Sequence, residues 1–149
     1  MPAKSCCFLG SSIQLSYRQR DNMFLLIYEK LGKLIKDGYT EFVFSSNSDF
    51  ESVARIAVIS HKIKNSNITT KYTAKSNDDI EELQKAYNEV IIPVIKKHTI
   101  SRRNRYIIDN SEYCIFYVNG RTSDAKQAIR FAKNLNKPYI NLYELLSLS

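Results

Sequence analysis

The sequence is poor in the residues that most enzyme and metal motifs need: it has four glycines, three cysteines, two histidines and no tryptophan among 149 residues. It contains neither a G-x-x-x-x-G-K-[ST] phosphate loop nor a G-x-S-x-G nucleophile elbow. His61 and His98 have no Cys, Asp or Glu at ligand spacing, and His61 follows an apolar helix face, which is typical of a structural histidine. We therefore predict no metal ion and no cofactor, and assign no catalytic residue.

The three cysteines lie in apolar runs. Cys6 and Cys7 are neighbours, and neighbours on one strand point to opposite faces, so they are not expected to bridge. Cys114 lies in a second apolar run, and we expect all three to be buried thiols of a reducing compartment. No apolar stretch approaches the roughly 20 residues of a membrane span, and no secretory signal is recognisable. These observations predict a cytoplasmic protein without membrane contact.

The formal net charge of +7 is compatible with a nucleic-acid partner or with a pocket for phosphate-bearing small molecules. The lysines are spread along the chain, which is equally typical of solvated helix surfaces. Charge alone leaves these alternatives open.

The chain length and the hydrophobic periodicity predict one domain over residues 1–149. Asp21 is the expected N-cap of the first helix and Gly38 its terminator, whereas residues 90–100 stay ambiguous because Pro93 interrupts an apolar run. Alternating strands and helices predict an α/β, Rossmann-like three-layer domain with a mainly parallel sheet of about five strands. The predicted strands are 4–9, 41–44, 68–73, 113–118 and 138–142, and the predicted helices are 21–36, 49–64, 78–87, 101–109 and 123–135.

Three polar segments follow predicted strands: residues 10–12, 45–48 and 119–124. In open α/β sheets, ligands bind outside the carboxyl ends of the strands, where helix N-termini favour anions. Ordinary helix capping explains the same residue types, and Asp49 and Asp124 would compete with an anionic ligand. The candidate ligand-binding residues are Gly10, Ser11, Ser12, Ser45, Ser46, Asn47, Ser48, Arg102, Arg103, Asn119, Arg121, Thr122 and Ser123.

The densest basic cluster is Ser101-Arg102-Arg103-Asn104-Arg105. Arg102 and Arg105 are three residues apart and share a helix face, whereas Arg103 points elsewhere. Guanidinium groups bind phosphate in a bidentate manner, although a solvated helix start has the same composition. Were the protein an enzyme, Glu51 and Asp109 would be the first acid or base candidates, followed by Asp49 and Asp124.

The string Arg-Arg-Asn-x-Tyr-(x)2-Asp-Asn-Ser, at residues 102–111, is the most specific motif in the chain. With 87–89, 113–118, 128–133 and 137–142, it resembles the YpsA-like branch of the SLOG superfamily. This Rossmann-like group includes the DNA-processing protein DprA and the cytokinin-activating LOG enzymes. The resemblance implies the fold over nearly the whole chain, and it implies recognition of nucleotides or ADP-ribose-like signals.

The chain departs from that family at its glycines. The usual Gly-His-Arg after the first strand is Gly10-Ser11-Ser12, and the usual Gly-Gly after the second strand is Ser45-Ser46. Asp49-Phe50-Glu51 replaces a Gly-Phe-Asp element, and Ser123-Asp124 replaces a later Gly-Gly pair. The glycine-rich loop with Thr and a catalytic Glu that marks LOG-type phosphoribohydrolases is absent, so the resemblance implies the fold and not the catalysis.

The sequence therefore favours non-catalytic binding, in sensing or sequestration, of a nucleotide-derived small molecule such as an ADP-ribose-like or cyclic nucleotide signal. One alternative is a protein-interaction or regulatory module with a decayed pocket, suggested by the glycine losses and by Tyr17, Tyr28 and Tyr143 as exposed tyrosines. Others are a nucleotide N-glycosidic or phosphate-ester hydrolase and, by analogy with DprA, a single-stranded nucleic-acid binder. A homo-oligomer is expected in each case.

Overall fold

The structure is a computed structural model that describes residues 3–75, 78–92, 100–119 and 123–147. Strands and helices alternate along the described chain, as the sequence predicts. The strands are β1 Lys4–Gly10, β2 Tyr39–Phe44, β3 Thr69–Thr73, β4 Glu89–Ile91, β5 Tyr113–Tyr117 and β6 Tyr139–Asn141. The helices are α1 Tyr17–Lys36, α2 Asp49–Lys62, α3 Ile80–Ala86, α4 Ile100–Asp109, α5 Ser123–Asn134 and α6 Leu142–Ser147.

The described strands form one parallel sheet in the order β4-β3-β2-β1-β5-β6. This confirms the predicted Rossmann-like α/β class, although the sheet has six strands where about five were expected. The additional strand is β4, which pairs with β3 through Lys71, Tyr72 and Thr73. Its three residues are too few to give a periodic signal, and Pro93, two residues further along the chain, interrupts the apolar run in the sequence.

Apolar cores cover both faces of the sheet. Phe8, Phe42 and Phe44 point to the face covered by α1, α2, α3 and α6, whereas Leu9 and Phe116 point to the face covered by α4 and α5. Strand alternation likewise separates the first two cysteines, since Cys6 belongs to the first core and Cys7 to the second. The cysteines are free and buried, as predicted.

Helix α1 begins one turn earlier than predicted. Its N-cap is Ser16, whose Oγ accepts a hydrogen bond from Gln19 N (3.2 Å) while Gln19 Oε1 accepts one from Ser16 N (2.9 Å). Asp21, the predicted cap, lies inside the helix. The prediction was wrong because the Ser-x-x-Gln capping box, rather than the first acidic residue, stabilises the free N–H groups. At the other end, Gly38 has a φ of +97°, so the prediction of a glycine terminator is confirmed.

Several other element ends differ from the sequence prediction. Helix α2 ends at Lys62, two residues early, and α3 spans only Ile80–Ala86, with Asp79 as its N-cap. Ser123, predicted as a cap, is the first residue of α5, and α6 was missed because Leu142 was assigned to the last strand. In the described ranges no helix is long and apolar enough to cross a bilayer.

The buried cysteines should be chemically silent in the folded protein. Burial raises the pKa of Cys6, and the hydrogen bond with Cys114 together with burial raises that of Cys7, so little thiolate forms at pH 8. We expect iodoacetamide at pH 8 to leave the native protein unlabelled and to modify the three cysteines in urea, as read by mass spectrometry. Rapid labelling of the native protein would contradict this burial.

Candidate functional site

A cavity of about 440 Å³ opens at the carboxyl ends of β1, β2 and β5. The strand order reverses here, because β1 is followed outward by β2 on one side and by β5 on the other. In open α/β sheets this switch point is where ligands bind. We call this cavity the crevice. Its lining residues are Leu9, Gly10, Ser11, Ser12, Ile13, Ser45, Ser46, Glu51, Lys75, Arg103, Asn104, Phe116, Val118, Asn119 and Ala128.

Most of the predicted ligand-binding residues that the structure describes lie at the crevice or beside it. Asn47 and Ser48 line an adjoining cavity of about 310 Å³, together with Ser12. Arg102 is exposed on α4 and is not among the residues lining the crevice. Ser123 starts α5, and the predicted residues Arg121 and Thr122 lie outside the described residues. Seven predicted residues line the crevice: Gly10, Ser11, Ser12, Ser45, Ser46, Arg103 and Asn119.

The end of β1 requires a glycine. A Cβ on Gly10 would lie 2.6 Å from Phe50 Cδ2 and 3.0 Å from Tyr117 O. The following residue, Ser11, donates its N–H to Tyr117 O at 2.9 Å. Gly10 therefore allows β1, β5 and α2 to approach closely where the crevice begins.

Replacing Gly10 with alanine should lower the free energy of unfolding by about 1–3 kcal/mol, because the added methyl group overpacks against Phe50 and the Tyr117 carbonyl. Urea unfolding measures the change. Gly32→Ala is the matched control, because a Cβ at Gly32 in α1 meets only His61 Cε1 at 3.7 Å. The control should be neutral or stabilising, since alanine is the better helix former; equal effects of the two variants would contradict the close approach at Gly10.

The loop after β2 is filled by a carboxylate of the chain itself. Glu51 is buried, and its Oε1 accepts hydrogen bonds from Ser45 N (2.7 Å) and Ser46 N (3.3 Å). The hydroxyl groups of Ser45 and Ser46 donate to its Oε2. Ser45 and Ser46, which we predicted as ligand-binding residues, therefore already bind Glu51.

Sequence reasoning identified Glu51 only as a possible acid or base. The Ser-x-x-Glu spacing from Ser48 to Glu51 is a capping-box signal, and Ser48 Oγ does accept from Glu51 N (3.2 Å). The Glu51 carboxylate, however, reaches back to the preceding loop. Asp49, predicted to compete with a ligand, instead accepts from Leu15 N (2.8 Å) and pairs with Arg20 (3.0 Å).

Burial raises the pKa of Glu51 to about 7. Hydrogen bonds from Ser46 and Ser45 and the charge of Arg103 act in the opposite direction, but they do not compensate for the lost hydration. A raised carboxyl pKa in a cleft is a mark of candidate functional sites. Asp109, the other acid or base candidate, is the last residue of α4 and is exposed, whereas Arg103 near the start of that helix lines the crevice. The carboxylates of Asp109 and Glu51 are therefore not brought together.

Arg103 is buried at the crevice, with 8% of its surface exposed. Its Nε and Nη1 atoms are buried and have no hydrogen-bond partner among the described residues. Desolvation lowers the pKa of Arg103, while Tyr72, Glu51 and Asp78 raise it. A buried guanidinium with open donor groups is costly for a fold to maintain, and it is the strongest mark of an anion subsite here.

The β5 side of the crevice is held by a buried amide that sequence reasoning missed. Asn141 Oδ1 accepts a hydrogen bond from Val118 N (3.0 Å), and its Nδ2 donates to Val118 O (3.1 Å). The same Oδ1 accepts from Tyr143 N (3.3 Å). Asn141 thus fixes the chain that leads from β5 into Asn119.

The other side chains singled out in the sequence have structural contacts. His61 stacks on Tyr28, and its Nε2 lies 2.8 Å from Tyr28 O, which agrees with the structural role predicted for this histidine. Tyr28 and Tyr143 are only partly exposed, and Tyr143 packs against Tyr117. Of the three tyrosines whose predicted exposure favoured an interaction module, Tyr17 alone is fully exposed. Within the described residues no group of three His, Cys, Asp or Glu side chains could hold a metal ion.

The strand order and the position of the crevice together define a Rossmann-like α/β domain. A solved structure of DNA processing protein A from Helicobacter pylori, described for its single-stranded DNA binding mode, has a similar fold, with a TM-score of 0.56 and 16% sequence identity. The alignment covers 91% of this chain and 63% of that chain. At this identity the likeness shows a shared Rossmann-like fold, and membership of the SLOG superfamily and of its YpsA-like branch stays a prediction. No protein-family model and no curated protein sequence matches the chain.

Proposed function

We propose that the crevice binds a nucleotide-derived small molecule without catalysis and that Arg103 holds its phosphate group. The observation that carries this proposal is the buried guanidinium whose Nε and Nη1 have no partner among the described residues. Phosphate oxygens match the planar donor fork of arginine and would neutralise its charge. The cost of burying Arg103 would then be offset when the ligand binds.

The walls of the crevice support a ligand with an apolar part as well as an anionic one. Leu9, Phe116, Val118 and Ala128 line one part of it, and serine and asparagine groups line another. Its volume of about 440 Å³ lies within the roughly 300–1,000 Å³ typical of small-molecule pockets. A nucleobase or ribose could lie against the apolar wall with the phosphate at Arg103.

A thermal-shift experiment with AMP, ADP-ribose and cyclic ADP-ribose tests this function. A ligand present at 100 times its Kd should stabilise the protein by about 2.7 kcal/mol. Arg103→Gln should abolish the shift without unfolding the protein, because Nε and Nη1 of Arg103 have no hydrogen bond to lose among the described residues. Arg105→Gln, the same charge change on an exposed position of α4, should leave it intact. Absence of any shift, or equal shifts in both variants, would contradict the proposal.

Single-stranded DNA is a second candidate ligand, and the charge on the outer surface of α4 and α5 favours it. This surface, which we call the basic face, exposes Arg102, Arg105, Lys126, Arg130 and Lys133. It adjoins the crevice, since α4 contributes Arg103 and α5 contributes Ala128 to the lining. The fold neighbour is a protein described for binding single-stranded DNA.

Fluorescence anisotropy with a labelled oligothymidylate separates the two candidates. Single-strand binding along the basic face should weaken with salt, with a slope of log K against log [salt] of about −0.7 per phosphate contacted. Replacing Arg130 and Lys133 with glutamine should weaken DNA binding and spare nucleotide shifts. The same replacement at Lys33 and Lys36 on α1 is the charge-matched control. DNA binding that responds equally to both pairs would argue against the basic face.

A further inference from the structure

The Glu51 carboxyl group has one oxygen that can take up a proton without loss of a backbone hydrogen bond. Oε1 accepts from the N–H groups of Ser45 and Ser46, which cannot reverse their direction. Among the described residues Oε2 accepts from the hydroxyl groups of the same two serines, and hydroxyl groups can act as donors or as acceptors. A proton on Glu51 therefore belongs on Oε2.

Protonation of Oε2 would change the charge of the crevice wall without breaking up the loop. The new O–H group can donate to Ser46 Oγ, and the hydrogen of Ser46 can then donate to Ser48 Oγ, which lies 3.2 Å away. Ser45 and Ser46 both line the crevice together with Arg103. One proton would thus remove a negative charge from the wall, and the serine hydroxyl groups would keep hydrogen-bond acceptors within the loop.

Two tyrosines and two basic side chains lie around Glu51, and none of them is a carboxyl group. Tyr72 on β3 and Tyr87 after α3 face it, and burial raises the pKa of both phenols, so they stay neutral. Arg103 on α4 supplies a positive charge, and Lys75 after β3 lines the same cavity.

Two further carboxylates lie nearby and are engaged elsewhere. Asp78 accepts a hydrogen bond from Lys75 N, and Asp49, on the same helix as Glu51, pairs with Arg20. Among the described residues that line the crevice, Glu51 is the single carboxyl group.

We propose that the crevice takes up one proton, on Glu51, when an anion binds beside Arg103. The inference rests on the proposed function, since it concerns the same anion subsite. An anion next to an ionised Glu51 would meet a like charge in a low-dielectric cavity, and protonation removes that repulsion. Arg103 then binds the anion while Glu51, buried at the same cavity, takes up the proton.

Sulfate is the suitable probe, because its charge stays constant between pH 6 and pH 8, whereas that of phosphate does not. We expect the Kd for sulfate, measured by amide chemical shifts, to be about tenfold lower at pH 6 than at pH 8, as one linked proton requires. Calorimetric titration in two buffers of different ionisation enthalpy should show uptake of nearly one proton at pH 8.

Glu51→Gln keeps the acceptor oxygen and fixes the neutral form. It should bind sulfate equally well at both pH values, near the affinity of the parent protein at pH 6. Glu29→Gln, the same charge change on an exposed position of α1, should keep the tenfold dependence. Equal affinity of the parent protein at both pH values would overturn the proton coupling and leave the anion subsite in place. No sulfate binding at either pH would overturn both.

Discussion

Replacing Glu51 with glutamine should raise the free energy of unfolding above pH 7 by up to about 3 kcal/mol. In the folded protein burial raises the pKa of Glu51 to about 7, against an ordinary value of 4.5. Below pH 4.5 the group is protonated in both states and has no effect on stability. As the pH rises toward 7 the unfolded chain ionises first, so the folded state loses stability, and above pH 7 the loss is complete.

Urea unfolding at pH 5, 6, 7 and 8 measures this effect. The parent protein should lose stability across that range relative to the Glu51→Gln variant, with the difference largest at pH 8. Glu29→Gln should follow the parent curve, because Glu29 is exposed on α1. A Glu51→Gln variant that is less stable at pH 8 would mean that the serine hydrogen bonds outweigh the cost of burying the charge.

Replacing Asn141 with aspartate should destabilise the protein by about 3 kcal/mol at neutral pH. Asn141 accepts from Val118 N and donates to Val118 O within the folded core. A carboxylate of the same shape keeps the first bond but has no hydrogen for the second, so two acceptors would face each other in a buried position.

Urea unfolding at pH 7 tests this cost, with Asn22→Asp as the control on an exposed position of α1. The control should change stability by less than about 0.5 kcal/mol. The aspartate variant should recover stability as the pH falls, because a protonated carboxyl can donate again. A loss of the same size at pH 4 and pH 7 would contradict the proposed role of the donor.

The sheet could be predicted from the sequence because its strands are apolar and separated by amphipathic helices. β1, β2 and β5 lie close to their predicted positions for this reason. β4 and α6 were not predicted, since three residues in one case and six in the other give no periodicity. Their positions depend on contacts with neighbouring elements, such as the pairing of β4 with β3.

The sequence predicted which loops meet at the crevice, but it did not predict the hydrogen bonds inside it. The rule that ligands gather at strand ends led to Gly10, Ser45 and Asn119, and the structure brings these residues to one cavity. The use of the Ser45 and Ser46 N–H groups by Glu51 depends on how far a side chain reaches, which no spacing rule gives. Asn141 was not predicted because its amide bonds to Val118, which is distant in the sequence and adjacent in space.

The described rim of the crevice is joined by contacts between segments distant in the sequence. Leu15 bonds to Asp49, Ser11 to Tyr117, and Asn141 to Val118. These bonds join groups of the chain itself and involve no ligand atom. A ligand that enters would find this part of its binding surface already in shape, so little of its binding energy would be spent on ordering the chain.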